Sequence, residues 1–444
     1  MHRRDFLTLS GTMAASVLLA RPVLAQSGAT SAREYGVAPN TRENQSARFQ
    51  SMLDQAAIRG EPIFLPAGTY VVSNIALPDG LVLTGVPGRT VLAHAGGEHL
   101  LIGRDAQRLH LSNLTLDGAN APGAEAGLLR LIAVTDAQVM GCTVRRARQD
   151  AISLERTGGR FSDNTTAEAA RFGLFSRDSR GLDITGNRVA DCADGGIIVH
   201  RSTQGRENTR ITSNRIARIG AASGGTGQWG NGINVFRTDH VVIADNLIEE
   251  CAFSAIRSNS GRHLHIRGNQ CLASGETAIY SEFSFENAVI SDNLILGGTL
   301  GISVTNFNDG GRGATVSGNI IRDVKTEGPY PAMNPGFGIG IAVEADTTVT
   351  GNFIDGAPLY GINAGWGPHL RDVVLQGNVV RNANIGIAVS RAGGVGAVHI
   401  ADNVINARNG AIRTHRWTEV DTTDLALEAN SVPAHITLSD NRVS

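Results

Sequence analysis

A short phrase built around asparagine recurs along most of this chain and constrains its fold more than any other feature. In a typical copy, residues 184–189, an aliphatic residue precedes two small or turn-forming residues, an asparagine, a variable residue and a second aliphatic residue. Successive copies lie 22 to 38 residues apart, a spacing typical of repeat architectures. Cys142 occupies the asparagine position of the first copy, and the later asparagines are Asn164, Asn187, Asn214, Asn246, Asn269, Asn293, Asn319, Asn352, Asn378, Asn403 and Asn441.

The apolar pattern within each repeat favours strands over helices. Aliphatic residues stand three positions before and two positions after the asparagine, as Ile211 and Ile216 do around Asn214. An amphipathic helix would instead need apolar residues with a period of about 3.6. Short β-branched runs that are broken by glycine, serine or aspartate next to asparagine predict a strand, a tight turn and another strand. Because asparagine tolerates the left-handed conformation, we expect it to occupy that position of the turn.

Strands of this kind in successive coils would pair in parallel, about 4.8 Å apart. Asparagines at the same position of each coil would then stack into a ladder of side chains. The sequence therefore predicts an all-β fold, a single-stranded right-handed parallel β-helix of about a dozen coils. The alternative is a β-propeller, whose repeats are about 40 residues long and whose strands are antiparallel.

Composition limits the classes of partner. The 444 residues carry a formal net charge of −2, and only 18% of them are charged, so there is no basic surface for nucleic acid. Lys325 is the only lysine, and the arginines that supply the other positive charges favour fixed, bidentate polar recognition. Cys192 and Cys251 stand five residues after repeat asparagines, where other coils have alanine, isoleucine or valine. We therefore expect both to be small inward-facing hydrophobic residues.

Residues 1–25 have the features of a targeting segment. Arg3 and Arg4 precede Phe6, a modest apolar run follows, and small residues stand at the cleavage positions before Ala25. This pattern resembles the twin-arginine signal, with an ordinary secretory signal as the alternative. We expect cleavage after Ala25, a periplasmic or secreted protein, and no membrane span in the mature chain.

Residues 26–92 differ from the repeats that fill residues 93–444. They contain an amphipathic pattern around Asn44–Arg59, followed by apolar runs in residues 62–72 and 81–92. This region resembles the N-terminal part of pectin-lyase-like β-helix proteins, which implies a helix that caps the open end of the solenoid. With the signal segment, the repeats resemble the Tat-translocated repetitive proteins of bacteria, a family that implies the fold and export but no reaction.

A second apolar phrase follows each asparagine phrase and predicts a strand with an outward face. Side chains alternate along a strand, so Ile233 and Val235 point inward while Asn234 and Phe236 point outward. One outward column then contains Asn234, Arg257 and Tyr280, and the other contains His200, Phe236, Asn259, Glu282, Thr305 and Glu344. Insertions at residues 220–231 and 325–336 enter the same strand, so we expect Trp229 and Tyr330 to border this face and to stack on sugar rings.

Pectin-lyase-like polysaccharide enzymes have their sites on this face. For a lyase or epimerase we assign catalysis to Tyr280, Arg257, His200 and Glu282, with Tyr280 or His200 moving a proton and Arg257 binding a uronate carboxylate with two nitrogens. Substrate binding is assigned to Asn234, Asn259, Trp229 and Tyr330. A hydrolase pair of Glu282 with Asp194 or Glu344 is an alternative, and simple pairing of Arg257 with Glu282 is another. The sequence contains no dense aspartate cluster, and we assign no metal and no cofactor.

A second group of basic and aromatic residues lies near the C-terminus, where the interpretations are sugar binding or capping of the last coils. It consists of Arg413, His415 and Trp417 with Asn363, Trp366 and His369 two coils earlier. The leading hypothesis for the whole chain is a secreted carbohydrate-active protein, a lyase or epimerase on an acidic polysaccharide. The alternative is a non-catalytic envelope or surface protein that binds a glycan or a protein partner along one face.

Overall fold

A computed structural model describes residues 28–119, 121, 127–225 and 227–444 as a parallel β-solenoid. Three sheets run along its length, with 16, 15 and 15 strands. Each coil contributes one strand to each sheet, and about 14 coils stack on one another. The predicted β-helix is confirmed, and the propeller is excluded because strands of successive coils pair in parallel. The predicted signal segment, residues 1–25, lies outside the described residues and stays a prediction.

The first sheet contains the strand that precedes each repeat asparagine. Its strands are Thr30–Ser31, Ile63–Phe64, Val82–Thr84, Arg108–Ser112, Asp136–Met140, Gly159–Ser162, Leu182–Thr185, Arg210–Thr212, Val242–Ala244, His265–Arg267, Glu286–Ser291, Arg312–Ser317, Thr347–Thr350, Val373–Gln376, Val398–Ala401 and Ile436–Ser439.

The second sheet contains the strand of the outward columns. Its strands are Ile75–Leu77, Leu101–Arg104, Leu129–Ile132, Ile152–Glu155, Phe172–Arg177, Gly195–Arg206, Asn231–Asp239, Ile256–Asn259, Thr277–Glu282, Leu300–Thr305, Ile339–Val343, Tyr360–Ala364, Ile385–Ser390, Ile412–Arg416 and Glu419–Val420. The last of these pairs antiparallel with Ile412–Arg416.

The third sheet contains the strand that follows each repeat asparagine. Its strands are Gly68–Val72, Thr90–His94, Thr115–Asp117, Thr143–Arg145, Thr165–Ala167, Arg188–Ala190, Arg215–Ile219, Leu247–Cys251, Gln270–Leu272, Leu294–Leu296, Ile320–Arg322, Phe353–Asp355, Val379–Ala383, Val404–Ala407 and Arg442–Val443.

The described residues contain one α-helix, Ser46–Arg59, and three short 3₁₀ helices, Ala32–Tyr35, Phe307–Asp309 and Ala429–Ser431. The α-helix buries Phe49 and Leu53 against the first coils, with the Phe49 ring edge-on to Tyr70. It ends at Gly60, whose left-handed backbone donates to the last helical carbonyls. Its position and burial fit a cap on the apolar interior. No helix among the described residues is long and apolar enough to cross a bilayer.

The asparagine ladder is continuous from Cys142 to Asn441. In each coil the asparagine Oδ1 accepts from the backbone N–H and from the side-chain amide of the preceding asparagine; Asn187, for example, accepts both bonds from Asn164, at 3.0 and 3.1 Å. The Nδ2 atom also donates inward to a backbone carbonyl of the coil before, as Asn187 does to Phe161. These bonds satisfy buried polar groups at every turn, so the ladder fixes the register of the coils.

The prediction that asparagine occupies the left-handed position was wrong by one residue. The residue immediately before it is left-handed, for example Gly186 with φ 68° and Asp245 with φ 58°. Glycine and aspartate tolerate this conformation. The asparagine must instead direct its amide into the solenoid, where Asn246 is 1% exposed. Cys192 and Cys251 are buried free thiols, as predicted.

Candidate functional site

The registers of the second sheet confirm the two outward columns. Asn234 pairs with Arg257, and Arg257 pairs with Tyr280, on three consecutive strands. The second column follows the same order, with Phe236 beside Asn259 and Asn259 beside Glu282. The strand register thus brings together side chains that are far apart in sequence.

His200 and Asn234 form a hydrogen-bonded pair on neighbouring strands. The distance from His200 Nε2 to Asn234 Oδ1 is 2.7 Å, and Asn234 Nδ2 lies 3.4 Å from the carbonyl of Gly227. This orientation of the amide makes Oδ1 the acceptor, so the neutral imidazole carries its proton on Nε2. His200 Nδ1 is then available to accept a proton. The imidazole also packs edge-on against the rings of Phe175 and Phe236.

Burial controls the charge of His200. Desolvation lowers its pKa to about 4, and the hydrogen bond to Asn234 opposes this effect only in part. The imidazole is therefore neutral at pH 7. A neutral imidazole with a free nitrogen is able to act as a base or as a hydrogen-bond acceptor for a ligand hydroxyl.

Arg257 and Glu282 form a buried ion pair. Nε and Nη2 of Arg257 lie 2.7 and 2.6 Å from the same oxygen of Glu282, and Asn259 donates to that oxygen at 3.4 Å. Both residues are almost inaccessible, at 8% and 1% exposed. Burial raises the pKa of Glu282, and the adjacent guanidinium opposes that rise. The structure therefore confirms the alternative in which Arg257 simply pairs with Glu282.

This pairing limits what Arg257 offers to a ligand. Because Glu282 occupies the edge formed by Nε and Nη2, that edge cannot grip a substrate carboxylate in the two-nitrogen manner predicted from the sequence. Nη1 remains without a hydrogen-bond partner among the described residues. The carboxylate of Glu276 lies 3.9 Å from Nη1. A buried unpartnered donor is costly to the folded state.

A cleft of about 250 Å³ lies over this part of the face. We call it the first cleft. It brings together four of the residues predicted from the sequence with three others, and its lining residues are His200, Gly227, Gln228, Asn234, Phe236, Arg257 and Asn259. The predicted residues Tyr280 and Glu282 do not line it. Glu282 lies beneath Arg257, and the Tyr280 ring lies under the guanidinium, 5.1 Å from centroid to Cζ. Burial raises the pKa of the Tyr280 phenol, so it is protonated at neutral pH.

Trp229 and Tyr330 border the face but are packed against other side chains. Trp229 stacks on Phe172 at 5.6 Å between ring centroids. The Tyr330 hydroxyl donates to Glu276, and its ring stacks on Phe253 at 6.1 Å. Both aromatic residues therefore hold the insertions against the solenoid, which limits the ring surface left for a sugar. In the first insertion, Gly227 and Gln228 provide the cleft wall instead.

Glu276 and Gln228 were missed by the sequence analysis. Glu276 immediately precedes an outward-facing strand and is 4% exposed, with bonds from Ser254 and Tyr330. Its position two coils after the first insertion, directly before the strand of Tyr280, is the sequence signal that it would lie near Arg257. Gln228 comes from the irregular insertion, whose backbone path has no periodic pattern that would predict it.

A second cleft, of about 190 Å³, continues along the same face. It is lined by Tyr280, Leu300, Ser303, Thr305, Asn306, Asn334, Pro335, Ile339, Ala342, Glu344, Asn363 and Trp366. Glu344 is one candidate partner of Glu282 for a hydrolase. It lines this second cleft, whereas His200 lines the first. Asp194, the other candidate, accepts two bonds from Ser223 and anchors the first insertion.

The structure brings together most of the second group predicted near the C-terminus. His415 Nε2 lies 3.0 Å from Asn363 Oδ1, and its ring lies against Trp366, which in turn meets Trp417 edge-on at 5.5 Å. Desolvation lowers the pKa of His415 to about 4. His369 packs on Phe307 instead. Among the described residues, no group of three or more His, Cys, Asp or Glu side chains is arranged to hold a metal ion.

Solved structures similar to this chain are β-helix proteins. The pre-mature gene product 12 of bacteriophage phi29 has a TM-score of 0.56 and 17% identity, over 88% of this chain and 55% of that chain. The chain thus spans just over half of the phage protein's length. A GH87 alpha-1,3-glucanase catalytic unit from Streptomyces thermodiastaticus strain HF3-3 has a TM-score of 0.44 and 14% identity, over 94% of this chain and 69% of that chain. At these identities the likeness shows the fold alone.

A third similar structure is the A-module of mannuronan C-5 epimerase AlgE6 from Azotobacter vinelandii, with a TM-score of 0.34 and 13% identity, over 93% of this chain and 99% of that chain. No curated protein matches the sequence. The family model described as the right handed beta helix region matches residues 150–321 and 203–371, which together make up half of the chain. The chain therefore belongs to the right-handed β-helix family.

Proposed function

We propose that this chain is an exported carbohydrate-active protein that binds a polysaccharide in the first cleft and acts on a uronate residue as a lyase or epimerase. One observation carries the proposal: among the described residues, neither Nδ1 of the neutral His200 nor Nη1 of Arg257 has a hydrogen-bond partner, and both residues line one cleft. Export rests on the resemblance of residues 1–25 to a twin-arginine signal.

The reaction begins with removal of the proton on the carbon next to the uronate carboxylate. His200 Nδ1 takes this proton, and the positive charge of Arg257 stabilises the negative charge that develops on the carboxylate. In a lyase, the electron pair then forms a carbon–carbon double bond, and the glycosidic oxygen leaves with a proton. In an epimerase, a proton returns to the same carbon from the opposite face. Because Tyr280 does not line the first cleft, water supplies this proton in both cases.

The polar side chains of the first cleft suit the hydroxyl groups of a sugar ring. Gln228 and Asn259 supply amides, and the half-buried ring of Phe236 supplies an apolar wall. Such a combination of an apolar surface with a few fixed polar groups is typical of small-ligand sites. The cleft is large enough for one sugar residue, with the neighbouring residues of the chain lying along the face.

A second candidate function, glycan binding without catalysis, is favoured by the surroundings of Arg257. The guanidinium lies between the carboxylates of Glu282 and Glu276, at 2.6 and 3.9 Å. Two carboxylates offset one positive charge, which weakens the attraction for an anionic sugar. Under this alternative His200 accepts a ligand hydroxyl and transfers no proton.

The test is incubation of the purified protein with a panel of uronate polysaccharides in deuterated water. Both reactions place solvent deuterium or a double bond at the carbon next to the carboxylate, so mass spectrometry and ultraviolet absorbance detect either outcome. The proposal expects product with at least one polysaccharide, and a loss of about 100-fold or more in rate for His200→Gln. Measurable binding with no deuterium uptake and no double bond on any polysaccharide would contradict catalysis and support the second candidate.

A further inference from the structure

The second cleft lies on the same outward columns as the first. Tyr280 lines it, and Arg257, on the neighbouring strand, lines the first cleft. The Arg257 guanidinium lies over the Tyr280 ring, so this stacked pair forms the wall between the two clefts. Arg257 and Ala342 are three strands apart through Tyr280 and Ser303, a distance of about 14 Å at ~4.8 Å per strand. A glycan that follows the face would therefore contact both clefts.

The two clefts differ in charge. Arg257 lines the first cleft, whereas the side chains lining the second, all of them described, include no arginine, lysine or histidine. Leu300, Ile339 and Ala342 provide apolar surface there, and Ser303 and Thr305 provide hydroxyl groups. A ligand carboxylate would have no cation to pair with in this cleft, and its desolvation would cost free energy. Its lining therefore suits an uncharged ring with hydroxyl groups.

Glu344 is fixed in the wall of the second cleft. Its Oε2 accepts from the backbone N–H groups of Asn306 and Phe307, at 2.7 and 3.1 Å, and the residue is 7% exposed. Because both bonds go to Oε2, Oε1 is the oxygen offered to a ligand. Burial raises the pKa of this carboxyl to about 7, so near neutral pH it exists in both forms. Only the protonated, uncharged form makes a closed, apolar contact with a ligand without a large desolvation cost.

Trp366 provides the aromatic surface of the second cleft. Its ring is held by His415 at 5.8 Å and by the edge of Trp417 at 5.5 Å, and it lines the cleft while still half-buried. Two supporting rings restrict its movement, so a ligand that stacks on it loses little side-chain entropy. The second group predicted from the sequence thus supports a cleft wall through Trp366 and Asn363.

We infer that the second cleft is a binding subsite for an uncharged sugar ring, and that the glycan is a heteropolysaccharide in which neutral sugars accompany uronates. This inference rests on the proposed function of the first cleft. Trp366 packs against the ring, Glu344 Oε1 bonds one of its hydroxyl groups, and Ser303 and Thr305 offer further bonds.

The experiment is calorimetric titration of the purified full chain with three oligosaccharides of equal length: all uronate, all neutral hexose, and alternating. We expect the alternating oligosaccharide to bind about tenfold or more tightly than the all-uronate one. Trp366→Ala removes this preference, so the alternating and all-uronate oligosaccharides bind this variant with equal affinity. Equal affinities for the alternating and all-uronate probes, unaffected by Trp366→Ala, overturn the inference while the proposed function stands. No binding of any probe overturns both.

Glu344→Gln provides a second variant that keeps the fold, because its amide oxygen still accepts the bonds from Asn306 and Phe307. In the wild type, the affinity for the alternating oligosaccharide falls about tenfold from about pH 6 to about pH 8, as a bound ring further disfavours the charged carboxylate. Glu344→Gln makes this affinity independent of pH, and Glu43→Gln, an exposed control, keeps the wild-type dependence. A wild-type affinity that does not change with pH overturns this role of Glu344.

The all-uronate probe is the internal reference for the other titratable or charged groups around Glu344. These are Tyr280 in the cleft wall, His369 on Phe307, His415 behind Trp366, and the pair of Arg371 with Asp346 on the following turn. Their protonation affects both probes alike, so the difference between the two affinities reports Glu344.

Discussion

His200 and Asn234 lie on adjacent strands with 2.7 Å between Nε2 and Oδ1, a contact that sets both the tautomer and the position of the imidazole. The pair belongs to the floor of the first cleft, where side chains of three coils meet. The amide is itself fixed by the carbonyl of Gly227, which comes from the first insertion. The insertion therefore affects the chemistry of His200 through Asn234.

The buried imidazole makes stability depend on pH. The folded pKa of His200 is about 4, below the ordinary value of 6.5, so the unfolded chain binds the proton more readily. Stability is therefore lost as pH falls from about 6.5 towards 4. We expect His200→Gln to reduce the loss between pH 7 and pH 5 by about 2 kcal/mol, measured by urea unfolding. His265→Gln, at an exposed position, is the control, and equal losses in His200→Gln and wild type would show that His200 is not buried as described.

Removing one asparagine from the ladder destabilises the solenoid. Asn269 accepts two bonds from Asn246 and donates to Asn293 and to the Ile243 carbonyl. Asn269→Ala leaves buried donors and a buried carbonyl without partners, at a cost of roughly 3 kcal/mol or more. The measurement is the shift of the denaturation midpoint against Asn430→Ala, an exposed asparagine. A shift no larger than that of the control would mean that the ladder does not stabilise the coils.

Arg257 and Glu282 are expected to be strongly coupled. Arg257→Met leaves the carboxylate of Glu282 buried without its partner, which costs roughly 3–5 kcal/mol. In Arg257→Met/Glu282→Leu no buried charge of the pair remains, so we expect the double variant to be more stable than the Arg257 single variant. A double-mutant cycle in urea unfolding measures this coupling. Additive losses would show that the two side chains do not interact in the folded protein.

The fold could be predicted because the same pattern of strand, turn and strand recurs in every coil. Each asparagine marks a turn, and counting from it places Asn234, Arg257 and Tyr280 on adjacent strands, as the registers confirm. The error in the turn, where the residue before the asparagine is the left-handed one, arose because both residues tolerate that conformation. Only the inward hydrogen bonds of the asparagine decide between them.

The candidate site could be predicted only in part, because strand counting says which side chains are neighbours and not which of them pair. The ion pair with Glu282 occupies the edge of Arg257 formed by Nε and Nη2, and only the side-chain geometry reveals it. The same holds for Tyr330, whose sequence position suggested an open ring but whose hydroxyl donates to Glu276. Insertions without a periodic pattern determine where the cleft walls lie, so Gln228 was not predictable.

The most direct test of the central claim, that the first cleft holds a glycan, is the affinity of the Phe236→Ala variant. Phe236 is a half-buried wall of that cleft, whereas Phe353, also half-buried, lies on the third sheet and provides a matched control. The measurement is calorimetric titration of each protein with a uronate-containing oligosaccharide that the wild type binds. We predict that Phe236→Ala weakens binding about tenfold, or about 1.4 kcal/mol, while Phe353→Ala leaves it unchanged. Equal affinities of the two variants would contradict the claim.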